Sequence, residues 1–204
     1  MASCILWLWL FVLIALVVPP HLAAQKQDGG SAPTTPRNAI WSWPIVFMHS
    51  RIIYLNTTTR TYSGITCIKE YRVTWNRSAR FLTKKVVVLS SPEKGVTKDV
   101  VYKAVWKRGP AQAFTAVDSS GSANYTIEFQ YTSEYCGIIK KQNETGGDHN
   151  DGCELWVNDK FFKSEPQDQE LCTANFDKYC KRNNARKFNI DDCQSTEGKS
   201  ILIA

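Results

Sequence analysis

Glu154 stands in Gly-Cys-Glu-Leu-Trp-Val, residues 152–157, between a cysteine and two large apolar side chains. The segment reads as a short strand, so the acid either meets solvent or has a buried task. Other residues with chemistry to offer are few. Of seven cysteines, one is Cys4, in the apolar N-terminal run; the other six are Cys67, Cys136, Cys153, Cys172, Cys180 and Cys193. His49 and His149 are the histidines past residue 24, and Asn56, Asn76, Asn124 and Asn143 each open an Asn-x-Ser/Thr sequon. Two histidines are too few for a His-rich metal site. Six cysteines in an exported chain read as three disulfides rather than zinc ligands. No metal and no cofactor is expected. The chain has no nucleophile elbow, P-loop or dinucleotide fingerprint, so an enzyme is not expected either.

Export is itself an expectation from the first residues. Ile5 to Val18 is an unbroken apolar run, followed by Pro19-Pro20 and then Leu22-Ala23-Ala24. That pattern fits a cleaved secretory signal over residues 1–24, and the run is short for a membrane span. Residues 25–39 are rich in Gly, Pro, Ser and Thr and read as a disordered leader; residues 40–204 are expected to form one domain. The segment 1–24 contains no Asp, Glu, Lys or Arg, so the formal charge of +6 belongs to residues 25–204. No cluster of basic and aromatic residues points to nucleic acid. A soluble, extracellular monomer with no membrane partner is expected, and the sequons fit that compartment.

Positioning the cysteines and Glu154 falls to short β-rich runs. Candidate strands are 51–59, 64–75, 81–90, 97–107, 112–117, 123–132, 134–141 and 153–158, most separated by Gly, Pro, Ser or Asn turns. Eight strands at this spacing predict an all-β barrel or sandwich. Residues 40–48 carry Trp41, Trp43 and Phe47 and read as a plug on the core. Near the end, Cys172, Phe176, Tyr179 and Cys180 share one face of a helix opened by Pro166 and Asp168 and stopped near Asn183-Asn184.

The series Cys136-Gly137-Ile138, then Glu154-Leu155-Trp156, then Cys172, together with the helix cysteines and a final Cys193, resembles the tick salivary lipocalins of the histamine-binding protein family. The likeness spans about residues 40–193. It implies an eight-stranded antiparallel lipocalin-like barrel with a C-terminal α-helix packed on the outside. It also implies the pairings Cys67–Cys193, Cys136–Cys172 and Cys153–Cys180. Amine-binding members carry Cys-Asp where this chain has Cys136-Gly137. Family members sequester small mediators such as histamine, serotonin or leukotrienes, and some bind host proteins, including complement components.

Disulfides to an outer helix, and glycans, must lie outside the barrel, which sets the phase of each strand. With Cys153 outward, Leu155 is outward and Glu154 and Trp156 face the lumen. With Cys136 outward, Tyr135, Gly137 and Ile139 face in. A glycan on Asn124 puts Tyr125, Ile127, Phe129 and Tyr131 inside and Glu128 outside. Asn56 outward puts Ile53, Leu55, Thr57 and Thr59 inside, and Cys67 outward puts Glu70 and Arg72 inside unless a bulge intervenes. Val100, Tyr102, Ala104 and Trp106 are the buried set of their strand. The expected ligand-facing residues are thus Glu154, Trp156, Arg72, Glu70, Tyr102, Tyr125, Phe129, Tyr131 and Tyr135. A buried carboxylate is costly alone, so Glu154 is protonated, paired with a residue such as Arg72, hydrated, or matched by a cationic ligand. Aromatic rings beside it suit an ammonium group. An inward Arg72 suits the carboxylate of a fatty-acid-derived mediator instead. Two functions remain open: sequestration of a host amine or lipid mediator, blunting inflammation or haemostasis, and a barrel whose outer loops engage a host complement or clotting protein.

Overall fold

The computed structural model describes residues 42–90, 94–106, 112–118, 124–143, 152–180 and 184–194. The expected signal and leader, Trp41 and His149 lie outside the described residues. All described residues belong to one compact unit, Asn38–Ala204. It opens with a short helix, α1 (Trp43–Met48), whose Pro44 suits a first turn that needs no N–H. Eight strands come next: β1 (Ile52–Thr58), β2 (Ile65–Asn76), β3 (Phe81–Ser90), β4 (Lys94–Val105), β5 (Ala113–Asp118), β6 (Asn124–Thr132), β7 (Cys136–Asn143) and β8 (Gly152–Asn158). A 3-10 turn (Phe161–Lys163), helix α2 (Pro166–Tyr179), strand β9 (Arg186–Lys187) and helix α3 (Asp191–Gln194) complete the described chain.

Neighbouring strands pair antiparallel in the order β2 to β8, then β1, and β1 returns to β2 to close the barrel. The closing seam is short: Ile52, Ile53 and Tyr54 pair with Tyr71, Glu70 and Lys69. Beyond it β1 pairs with β8 on one side and, through Thr57 and Thr58, with β9 on the other. Alternation is clear on β5, where Phe114, Ala116 and Asp118 are buried and their neighbours half-buried. It sorts the apolar side chains into two cores. The inner one fills the lumen with Phe47 and Met48 from α1, Leu55, Ile68, Leu82, Val100, Tyr102, Phe114, Phe129 and Trp156. The outer one lies beneath α2 and holds Tyr54, Ile138, Leu155, Phe161, Phe176 and all six described cysteines.

The disulfides are Cys67–Cys193, Cys136–Cys172 and Cys153–Cys180, the partners that the resemblance implies. They tie the C-terminal segment to β2, β7 and β8. Cys172 and Phe176 are buried on the face of α2 toward the barrel, but Tyr179 is 37% exposed. The chain turns extended at Cys180, so the last helical residue does not reach the wall.

Local irregularities correct several expected orientations. A bulge between Phe129 and Tyr131 reverses the phase of β6, so Tyr131 packs outside with the outer core. Tyr135 joins it there. The Ser133 hydroxyl accepts from the N–H groups of Tyr135 and Cys136, and this turn delays the start of β7 to Cys136. A bulge between Leu55 and Thr57 likewise shifts β1: Asn56 is outside but only 7% exposed, in a cleft under α2, and Thr57, expected inside, lines the outer side with it opposite Leu155 while Thr58 takes the inner place opposite Glu154. Asn76 is exposed at the end of β2, and the side chains of Asn124 and Asn143 lie outside the described residues.

Candidate functional site

Strand β8 delivers the acid. Cys153 and Leu155 point into the outer core, so Glu154 and Trp156, two residues apart, share the inner face. Glu154 has no exposed surface. Its Oε1 accepts a hydrogen bond from the Tyr62 hydroxyl at 2.6 Å, and its Oε2 accepts from the Trp156 indole N–H at 2.8 Å. Both donors are neutral. Among the described residues no lysine, arginine or histidine forms an ion pair with Glu154. Arg72, one expected partner, is elsewhere: it is exposed near the start of β1, and its guanidinium donates to the His49 carbonyl at 2.8 Å. Glu154 sits beside Thr58, at the other end of that strand.

A second carboxylate reaches the same space. Glu70 of β2 accepts from the Tyr102 hydroxyl at 2.8 Å, and its other oxygen lies 3.4 Å from the Lys84 ammonium. The Tyr102 and Tyr125 hydroxyls are 3.1 Å apart. Tyr102 has one proton and gives it to Glu70, so Tyr125 donates to Tyr102. Lys141 covers the Tyr125 ring, its Nζ 4.0 Å from the centroid. Burial, and then the nearby carboxylates, hold the hydroxyls of Tyr62 and Tyr102 above the ordinary tyrosine pKa. Burial followed by Glu70 does the same to Tyr125. These groups therefore stay protonated and act as donors. Burial pushes the Lys84 ammonium the other way, toward deprotonation, and Glu70 opposes that shift. At the plug end, burial, Arg72 and Lys84 lower His49 to about 4, so it is neutral at physiological pH.

Glu70, Tyr102, Tyr125, Phe129, Glu154 and Trp156, all expected to face a ligand, line one void with Phe47 and Lys141. Arg72, Tyr131 and Tyr135 do not. The void leaves about 20 Å³ for the centre of a water-sized molecule, room for about one water. Gly137 explains part of this tightness. A Cβ there would stand 2.8 Å from Phe129 Cε1 and 3.0 Å from two ring carbons of Phe47. Two phenyl rings occupy the ground that any side chain at position 137 would need.

Sequence reasoning missed Tyr62, Lys84 and Lys141. Tyr62 lies in the loop between β1 and β2, where alternation assigns no direction. Lys84 did carry a signal: Leu82, Lys84, Val86 and Val88 stand at alternate positions of β3, a lysine inside an apolar stripe. No cysteine or sequon on β3 fixed which way the stripe points.

No family model and no curated protein matches the chain. Solved structures do. Japanin from Rhipicephalus appendiculatus bound to cholesterol superposes with a TM-score of 0.52 at 14% identity, covering 72% of this chain and 97% of that one. Lobster apocrustacyanin A1 gives 0.53 at 13% identity, covering 78% and 88%. A serotonin complex of AM182 gives 0.50 at 11% identity, covering 71% and 87%. Closed by β1, plugged by α1 and backed by α2, this chain has a lipocalin-like fold.

Proposed function

We propose that this protein is a secreted, non-enzymatic carrier that sequesters a small host mediator in its barrel, and that the mediator is an organic amine with an apolar or aromatic body. The observation that carries this is Glu154: a carboxylate with no exposed surface whose hydrogen-bonding partners are two neutral donors. An ammonium group supplies the counter-charge that no ion pair among the described residues gives Glu154, and the aromatic side chains of Tyr125 and Trp156 line the same void. The lipid alternative loses its anchor, because Arg72 is exposed at the α1 end, bonded to the His49 carbonyl and not lining the void, and Lys84 is engaged by Glu70. That a similarly folded protein is in complex with serotonin supports the amine class; that another is bound to cholesterol keeps neutral lipids in the screen.

Small-molecule sites run to roughly 300–1,000 Å³, so the lumen has to open. Tyr62 is the side chain to move. It is half-exposed, sits on a loop at the Glu154 end of β1, and holds Glu154 through one hydrogen bond. Swinging it outward uncovers the carboxylate, and the ammonium takes the place of the hydroxyl. Titration calorimetry and native mass spectrometry of disulfide-intact protein against histamine, serotonin, fatty acids and cholesterol test this. The expected result is one amine bound per chain, with affinity reduced at least tenfold in Glu154→Gln, as for a lost buried charge contact of about 1.4 kcal/mol or more. Amine binding unchanged in Glu154→Gln, or no amine binding at all, refutes it. The filled lumen favours a second reading, a scaffold whose outer loops engage a host complement or clotting protein. Retention of such a protein by a chain that binds no small molecule would establish that reading.

A further inference from the structure

A cleft in which a sequon asparagine stands lies outside the barrel. It lies between α2 and the wall, encloses about 510 Å³ and is lined by Phe161, Pro166, Thr173, Ala174, Asp177 and Lys187, with Asn56 among them. A smaller space of about 100 Å³ continues from it past Asn56 toward Leu155 and Phe176. Asn56 opens the sequon Asn56-Thr57-Thr58. Its Oδ1 accepts from the Thr57 hydroxyl at 2.9 Å, and the residue lines the cleft. We propose that Asn56 carries an N-linked glycan whose first N-acetylglucosamine is seated in this cleft.

The surroundings suit a sugar. The volume falls in the roughly 300–1,000 Å³ range of sites for small molecules. The lining pairs apolar Phe161 and Pro166 with polar Thr173, Asp177 and Lys187, the mixture that a pyranose with its hydroxyls needs. Attachment has a consequence for timing. Thr58, the hydroxyl residue of the sequon, has no exposed surface in the folded barrel, so the sugar must be added before β1 is covered. The topology provides that interval. The seam with β2 reaches only Tyr54, so Asn56 to Thr58 wait for β8 and β9. The first residue of β8, Gly152, comes 152 − 58 = 94 residues after Thr58. At translation rates of about 5–20 residues per second that is an exposure of roughly 5–20 s.

The test uses full-length protein secreted from cultured animal cells. Glycopeptide mass spectrometry reads occupancy at Asn56, and an N-glycanase time course is run on native and on reduced, denatured protein. Asn56 is expected to be occupied. Its native release should be slower than its denatured release by about tenfold or more, because the enzyme must wait for local opening of the cleft. Ala174→Arg, a change at an exposed cleft residue of α2, should displace the sugar and speed native release. Asn56 unmodified, or native release as fast as denatured release, overturns the proposal; so does a native rate that Ala174→Arg leaves unchanged.

Discussion

Replacing Gly137 by alanine tests whether the lumen is as full as it looks. The added Cβ would lie 2.8 Å from Phe129 Cε1 and 3.0 Å from Phe47 Cδ1 and Cε1, against ordinary carbon contacts of about 3.5–4.0 Å. Something has to give by roughly half an ångström to an ångström. The rings have little slack: Phe47 is 1% and Phe129 7% exposed, and the two already meet edge to face at 6.3 Å. Overpacking of this kind costs about 1–3 kcal/mol. Against it stands about 0.4–1 kcal/mol from the stiffer unfolded chain, since the backbone at 137 is not in the left-handed region. Taking the middle of each range, the net expectation is a destabilisation of about 1.3 kcal/mol, a fall in Tm of roughly 3–5 °C for a chain of this size. Urea and thermal unfolding followed by circular dichroism measure it. Phe47→Leu removes the opposing ring, so the cost of Gly137→Ala should shrink in that background. Gly137→Asp should be worse than alanine, because it adds a buried carboxylate with no counter-charge. A neutral or stabilising Gly137→Ala, or a cost that Phe47→Leu leaves intact, would show that the void is larger or softer than the described packing.

Four further outcomes are expected of the lumen and its clamps. Tyr62→Phe should destabilise the empty barrel by about 1–3 kcal/mol, since Glu154 loses a donor, yet tighten amine binding in calorimetry because the ligand no longer displaces a hydroxyl. Lys84→Met should cost about 3–5 kcal/mol by urea unfolding, and adding Glu70→Gln should recover part of it, because the damage is an unpaired Glu70. Alkaline denaturation should be steep above pH 10. Tyr62, Tyr102 and Tyr125 keep protons in the barrel that the unfolded chain releases at its pKa of 10.0, so each removes about 1.4 kcal/mol of stability per pH unit; Lys84, shifted downward, works the other way until 10.5. Replacing Cys67 and Cys193 by serine opens a loop of 126 residues and should cost on the order of 5 kcal/mol in equilibrium unfolding, less any native strain.

The barrel was legible because its signals are local and repeated. Alternation and turn residues placed all eight main strands within a few residues. β4 starts at Lys94 rather than 97, and the two-residue β9 had no periodicity to reveal it. For β8, cysteine parity gives Glu154 and Trp156 the direction they have. The same reasoning fails wherever one extra residue enters a strand. Tyr131 and Thr57 both owe their directions to bulges, and a bulge is set by the neighbouring strand's register, which one strand's pattern does not carry. The partners of Glu154 were out of reach for a different reason. Tyr62 comes from an irregular loop 92 residues away, and only the closed barrel brings it over the carboxylate.

The three-residue seam between β1 and β2 has a mechanical meaning. A closed ring of ladders resists dilation, because widening it anywhere breaks a row of backbone bonds. Here the ring is fully zipped only near α1. Toward Glu154 the gap is spanned by the Arg186 guanidinium, which donates to the carbonyls of Tyr62 and Ile65 at 2.8 and 2.7 Å. Those two contacts, on an exposed side chain, stand beside the Cys67–Cys193 disulfide and the Lys69 hydrogen bond to the Cys193 carbonyl, which hold β2 to the same C-terminal segment. The barrel thus has its least-laddered wall beside its acid, so on the proposed carrier function this is the end at which widening leaves the other ladders intact.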